Sequence, residues 1–151
     1  MGEIVAASRI KGQDIEKSNC PIIIVGENPR IVRMVKQIYQ PITLNEMLAK
    51  RLLAYANGIR NNYALREADE LLSQEVTPIL LERYEMLFTP NYDIDIMKFF
   101  CDLARKRKIA IEWCGTLEEN TLIYASEEHS DYKKCKVSDY DILCIKGRDE
   151  I

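Results

Sequence analysis

Pro21-Ile22-Ile23-Ile24-Val25-Gly26-Glu27-Asn28-Pro29-Arg30-Ile31 is the stretch that decides the architecture. Ile22–Val25 places four β-branched residues in a row, which leaves no face for water and reads as a strand buried on both sides. Asn28 is a helix cap with Pro29 at the first helical position, a favoured pairing. Ile31, Met34, Val35 and Ile38 then follow at helical spacing and stop before Pro41, with the helix body starting at Ile31. A fully buried strand that turns directly into a helix is the opening unit of an α/β protein with a parallel sheet.

The same alternation continues downstream. Residues 41–44 form a short strand, and Asn45 is placed to cap a helix with the apolar face Met47, Leu48, Leu52, Leu53 and Tyr55, ended by Asn57-Gly58. A further helix takes in Ala64, Leu65, Ala68, Leu71 and Leu72, with Glu67, Asp69 and Glu70 facing water. Residues 77–81 are a second buried strand. Ile94, Met97, Phe100, Leu103 and Ala104 mark another helix, and residues 109–113 a third strand stopped by Gly115. Residues 122–125 and 141–145 complete the set and are expected to pair as an edge. Residues 1–19 are a lead-in, with a short helix over residues 4–10 packed on the sheet. The expectation is one α/β domain over residues 1–151 with a mainly parallel sheet, since helices of these lengths supply the crossovers that parallel strands require.

Composition narrows the function classes. The chain has 151 residues, 47% hydrophobic and 30% charged, with a net charge of −3, so no global field draws it to nucleic acid or anionic membrane. No apolar run approaches the roughly 20 residues that span a bilayer. The first residues lack a signal-peptide core. The five cysteines, Cys20, Cys101, Cys114, Cys135 and Cys144, contain no C-x-x-C pair, and His129 is the single histidine. That pattern argues against a disulfide framework or a zinc centre, and for a cytoplasmic protein with reduced thiols.

Ligands of open α/β sheets bind beyond the carboxyl ends of the strands, so strand ends carry the candidates. A phosphate loop of the form G-x-x-x-x-G-K-[S/T], counted from Gly26, puts Ile31, Val32 and Arg33 at its last three positions. Gly26, Glu27, Asn28, Arg30 and Arg33 are the nucleotide-site candidates. Glu27 places negative charge in the mouth and Pro29 removes a donor, so the plain reading is a strand-to-helix turn. Glu82 ends the second strand, where P-loop proteins hold magnesium, and Glu85 offers a second carboxylate. Arg105-Lys106-Arg107-Lys108 suits a solvated helix end that offsets the macrodipole, and secondarily a docking or nucleic-acid patch without interleaved aromatics. His129, between carboxylates in the segment 124–132, has the chemistry of an acid/base group but reads first as an exposed loop histidine.

These pieces, in this order, resemble the small P-loop protein (the F component) family of type III BREX bacteriophage-defence systems. The resemblance runs over residues 21–145. It is carried by the strand-Glu82-x-x-Glu85-x-Leu87-Phe88 segment, by Trp113-Cys114-Gly115, and by Tyr124-Ala125 followed by His129 and Tyr132. Leu48 to Arg60 is compatible with the Leu-rich helix and trailing arginine of that family. The departures fall on the chemistry: family members with an intact loop end it in Gly-Lys-Ser/Thr, and Glu82 stands where they have an aspartate. The resemblance implies a P-loop NTPase-like (AAA-like) three-layer sandwich, and a bacterial anti-phage context. It implies partners among an adenine methyltransferase, an alkaline-phosphatase-like protein, a helicase and a large ATPase, with a homo-oligomer as a further option. Three functions follow: a non-catalytic or strongly impaired P-loop-like subunit acting through protein contacts, a scaffold role, which leads; an ATP- and magnesium-using NTPase whose missing cation comes from Arg33, Arg30 or a neighbouring subunit; and a nucleic-acid module using the basic run.

Overall fold

In the computed structural model, residues 2–74, 77–90, 94–126 and 128–147 are described. The six-stranded sheet is wholly parallel. It comprises β1 (Glu3–Ala6), β2 (Ile22–Val25), β3 (Gln40–Thr43), β4 (Ile79–Glu82), β5 (Ile109–Glu112) and β9 (Leu143–Lys146), in the spatial order β1-β9-β2-β5-β4-β3. β6 (Thr116–Glu118), β7 (Thr121–Tyr124) and β8 (Lys133–Lys136) form a separate antiparallel sheet.

Strand alternation divides the core into two layers. Ile23, Val25, Ile79, Leu81, Ile109, Ile111 and Cys144 face α3 (Leu44–Leu52), α4 (Arg60–Ser73) and α5 (Ile96–Ala104). Ile22, Ile24, Leu80, Ala110, Leu143 and Ile145 face α1 (Gly12–Lys17) and α2 (Pro29–Lys36). Every residue of β2 is buried, as the β-branched run requires. The result is a three-layer α/β arrangement with a mainly parallel sheet. Among the described residues no helix is long and apolar enough to cross a membrane.

Several expectations need correction. The helix expected over residues 4–10 is instead β1 followed by a 3-10 turn over Ala7–Arg9, with the helix delayed to α1. With only four residues, Glu3–Ala6 shows too short a pattern to separate strand from helix; pairing with β9 settles it. β7 and β9 do not pair. β9 lies inside the sheet between β1 and β2, and its Leu143, Cys144 and Ile145 are buried. α2 starts at Pro29, capped by Asn28, as that pairing predicts, so Ile31 already lies in its first turn. Asn45 is not a cap: Thr43 holds that position and Asn45 lies within α3. Leu53 turns out to solvent, and α3 stops before it. Glu67 is buried rather than facing water, because Arg51 Nη1 and Tyr55 Oη donate to its carboxylate at 3.2 and 2.9 Å.

Candidate functional site

The chain leaves β2 toward β3 at one edge and leaves β5 toward β9 on the opposite side of β2. The connections therefore part at the adjacent pair β2 and β5, and the crevice beyond their carboxyl ends is the favoured ligand position in an open sheet. A crevice of about 390 Å³ lies there, lined by Gly26, Glu27, Arg83, Glu85, Glu112 and Trp113, with Cys114 and Gly115 behind. A larger cleft of about 770 Å³ lies on the other flank of the α2 N-terminus, over the ends of β1, β9 and β2.

The strand-to-helix turn is much tighter than a phosphate loop. α2 begins at Pro29, three residues after Gly26, so the frame positions Ile31, Val32 and Arg33 are helix rather than loop. Ile31 is fully buried in the core. Gly26 takes φ 78, a left-handed turn that favours glycine. The turn also consumes its own donors: Asn28 Oδ1 accepts from Ile31 N–H at 3.2 Å, the Asn28 carbonyl accepts from Val32 N–H at 3.0 Å, and Pro29 has none. Among the described residues that leaves the Arg30 N–H in the first turn. Arg30 itself donates from Nη1 and Nη2 to the carbonyls of Ala7 and Ile10 at 2.9 and 2.7 Å, which ties α2 to the segment after β1.

Glu82 and Glu112 end adjacent strands in register, and alternation directs both toward α2, as it does Leu80 and Ala110. Burial, then a hydrogen bond with Glu82 and that residue's negative charge, together push the Glu112 carboxyl up to about 7 against the opposing charge of Lys36. Glu112 therefore keeps its proton well above the pH at which an ordinary carboxyl loses it. Glu85, the second expected ligand, is taken up elsewhere: Asn45 Nδ2 donates to its carboxylate at 2.7 Å, and Asn45 Oδ1 accepts from Met86 N–H at 3.0 Å. Arg83 between them adopts φ 48, and its carbonyl accepts from Asn45 N–H at 2.8 Å.

The residues carrying the family resemblance form a structural joint. Trp113 Nε1 donates to the carbonyls of Thr116 and Ile123 at 3.1 and 3.2 Å, and its ring meets Phe88 edge-on. Phe88 stacks on Tyr124 with centroids 3.9 Å apart. A Cβ on Gly115 would lie 1.8 Å from the Ile123 carbonyl oxygen, so only glycine fits. Cys114 is no nucleophile, since burial pushes its thiol up to about 11 against a partly opposing hydrogen bond from Tyr84. His129 is exposed, its N–H given to the Ser126 carbonyl at 2.9 Å; Tyr132 N–H reaches the His129 carbonyl at 3.1 Å, and neither residue approaches the crevice lining. Glu127 of that segment lies outside the described residues.

The basic run does not form one face. α5 ends at Ala104, so the run follows the helix rather than closing it. Lys106 pairs with Asp69, Arg107 Nη2 donates to the Ser73 carbonyl at 2.6 Å, and Lys108 Nζ donates to the Glu16 carbonyl. Only Arg105 is left without such a partner among the described residues. Glu112 and Asn45 are the site residues that sequence reading missed. The signal for Glu112 was present, since it ends the third strand as Glu82 ends the second. No protein-family model, no curated protein and no solved structure matches this chain.

Proposed function

We propose that this protein is a non-catalytic, P-loop-like scaffold subunit of a bacterial anti-phage assembly of the BREX type, working through protein contacts. The observation that carries the non-catalytic part is the three-residue turn from Gly26 to Pro29, with Ile31 sunk in the core where the loop would place its last glycine. Losing the lysine alone removes a charge-assisted contact worth roughly 1.5–3 kcal/mol. The missing hydroxyl removes a metal ligand. The short turn removes the cradle itself.

The P-loop-like part is supported by strand order. One strand, β5, lies between the loop strand β2 and the carboxylate strand β4, an order that AAA-like sheets take. Glu82 at the end of β4 points toward the α2 side, where a metal-binding carboxylate would stand. The defence context rests on the sequence resemblance, whose Trp113, Gly115 and Tyr124 jointly hold the small sheet to the large one.

Two measurements test this. Titration calorimetry with ATP and magnesium is expected to give no heat, and an ATPase rate abolished by Glu82→Gln would refute the scaffold reading. Co-expression with the methyltransferase, phosphatase-like, helicase and large ATPase proteins is expected to retrieve at least one stoichiometric partner. Failure with all four would remove the defence context and leave only the fold.

A further inference from the structure

The larger cleft gathers positive charge in an acidic chain of net charge −3. Among the described residues Arg30 and Arg33 line it with one carboxylate, Glu27, at the lip. Arg30 is held by two carbonyls rather than by a carboxylate, so its charge is fixed in place without being neutralised. Arg33, one turn further along α2, is exposed and makes no ion pair among the described residues.

The cleft's chemistry selects among anions. A polyphosphate needs several convergent N–H groups, and the α2 N-terminus gives its Ile31 N–H to the Asn28 side chain and has none at Pro29. Glu27 at the lip repels a multiply charged group more strongly than a single carboxylate. Among the described residues no aromatic side chain lines the cleft to stack on a nucleobase. Separated guanidinium groups instead match carboxylates spaced along a chain, each able to accept two parallel hydrogen bonds. The floor spans the ends of three neighbouring strands, about 10 Å at ordinary strand spacing, which is the reach of about three extended residues.

We infer that this cleft is a docking site for an acidic peptide segment of a partner protein, with Arg33 as the main contact and Arg30 as a fixed second charge. The inference rests on the scaffold reading, since it fills with a protein segment a flank that a nucleotide would otherwise claim.

The test is fluorescence anisotropy with a labelled hexapeptide of alternating glutamate and serine, at low and physiological salt. Binding is expected, with none for the same peptide carrying glutamine in place of glutamate. Arg33→Glu is expected to weaken it by about 10- to 100-fold, the worth of a charge-assisted contact, with the melting temperature unchanged. Arg105→Glu, an equal charge reversal outside the cleft, is expected to leave it intact. No binding by the native chain, equal binding by Arg33→Glu, or an equal loss in Arg105→Glu would each overturn the inference. Displacement of the peptide by ATP would overturn the scaffold reading as well. Absence of both peptide and ATP binding removes the docking site alone.

Discussion

Glu112→Gln should stabilise the protein at alkaline pH and leave it unchanged at acid pH. The Glu112 carboxyl sits at about 7 in the folded chain against 4.5 ordinarily, raised by burial and by the hydrogen bond and charge of Glu82. Below the unfolded value both states carry the proton. As pH rises between the two values the unfolded state releases it while the folded state keeps it, so stability falls across that window and stays low above it. Each pH decade of the gap is worth about 1.4 kcal/mol, giving an upper bound of about 3 kcal/mol. Glu112 is only half-buried and opens on a crevice that water enters, which reduces the expected figure to roughly 1–2 kcal/mol. Glutamine keeps the shape, carries no charge and donates an N–H to Glu82. Thermal melts at pH 8 should therefore rise by about 3–6 °C for a chain of this size, with the two proteins coinciding at pH 4. Parallel pH profiles, or a variant less stable than the native chain at pH 8, would refute this reasoning about Glu112.

Gly115→Ala drives a Cβ to 1.8 Å from the Ile123 carbonyl oxygen, a backbone atom that cannot swing aside. It should cost about 3 kcal/mol or more, read as a shifted urea midpoint. Glu67→Ala leaves Arg51 and the Tyr55 hydroxyl without their buried acceptor. The loss should be about 2 kcal/mol, below the figure for a fully buried pair because Arg51 is part-exposed. Asn45→Ala removes both bonds to the turn after β4. It should cost about 1–2 kcal/mol and raise amide exchange at Met86, while the α3 amides stay protected if the cap is Thr43.

Legibility followed how much each segment's fate is decided locally. β2 was readable because four β-branched residues have no amphipathic alternative, and the Asn28-Pro29 cap because its chemistry lies within three residues. β1 and β8 were not, since Glu3–Ala6 and Lys133–Lys136 become strands only through pairing with β9 and β7. The position of β9 inside the sheet follows from which edge of β2 remains open once β5 has taken the other, a fact no window of sequence contains. Glu67 was misread for a similar reason: its position on α4 looks like a solvent stripe until Arg51 and Tyr55 from the preceding turns close over it.

The candidate site divides along the same line. Residue types announced the missing lysine and hydroxyl, yet the turn's self-sufficiency appears only when its hydrogen bonds are traced. Asn28 caps the helix, Ile31 fills the core and Arg30 fastens α2 to the turn that follows β1, so these groups are spent on folding. Such a turn gains stability from the bonds that close it to phosphate. What it leaves outward is charge without a cradle: Arg33 on one flank, and the neighbouring carboxyls of Glu82 and Glu112 on the other. On the scaffold reading proposed above, a surface of that kind discriminates partners by the spacing of their charges.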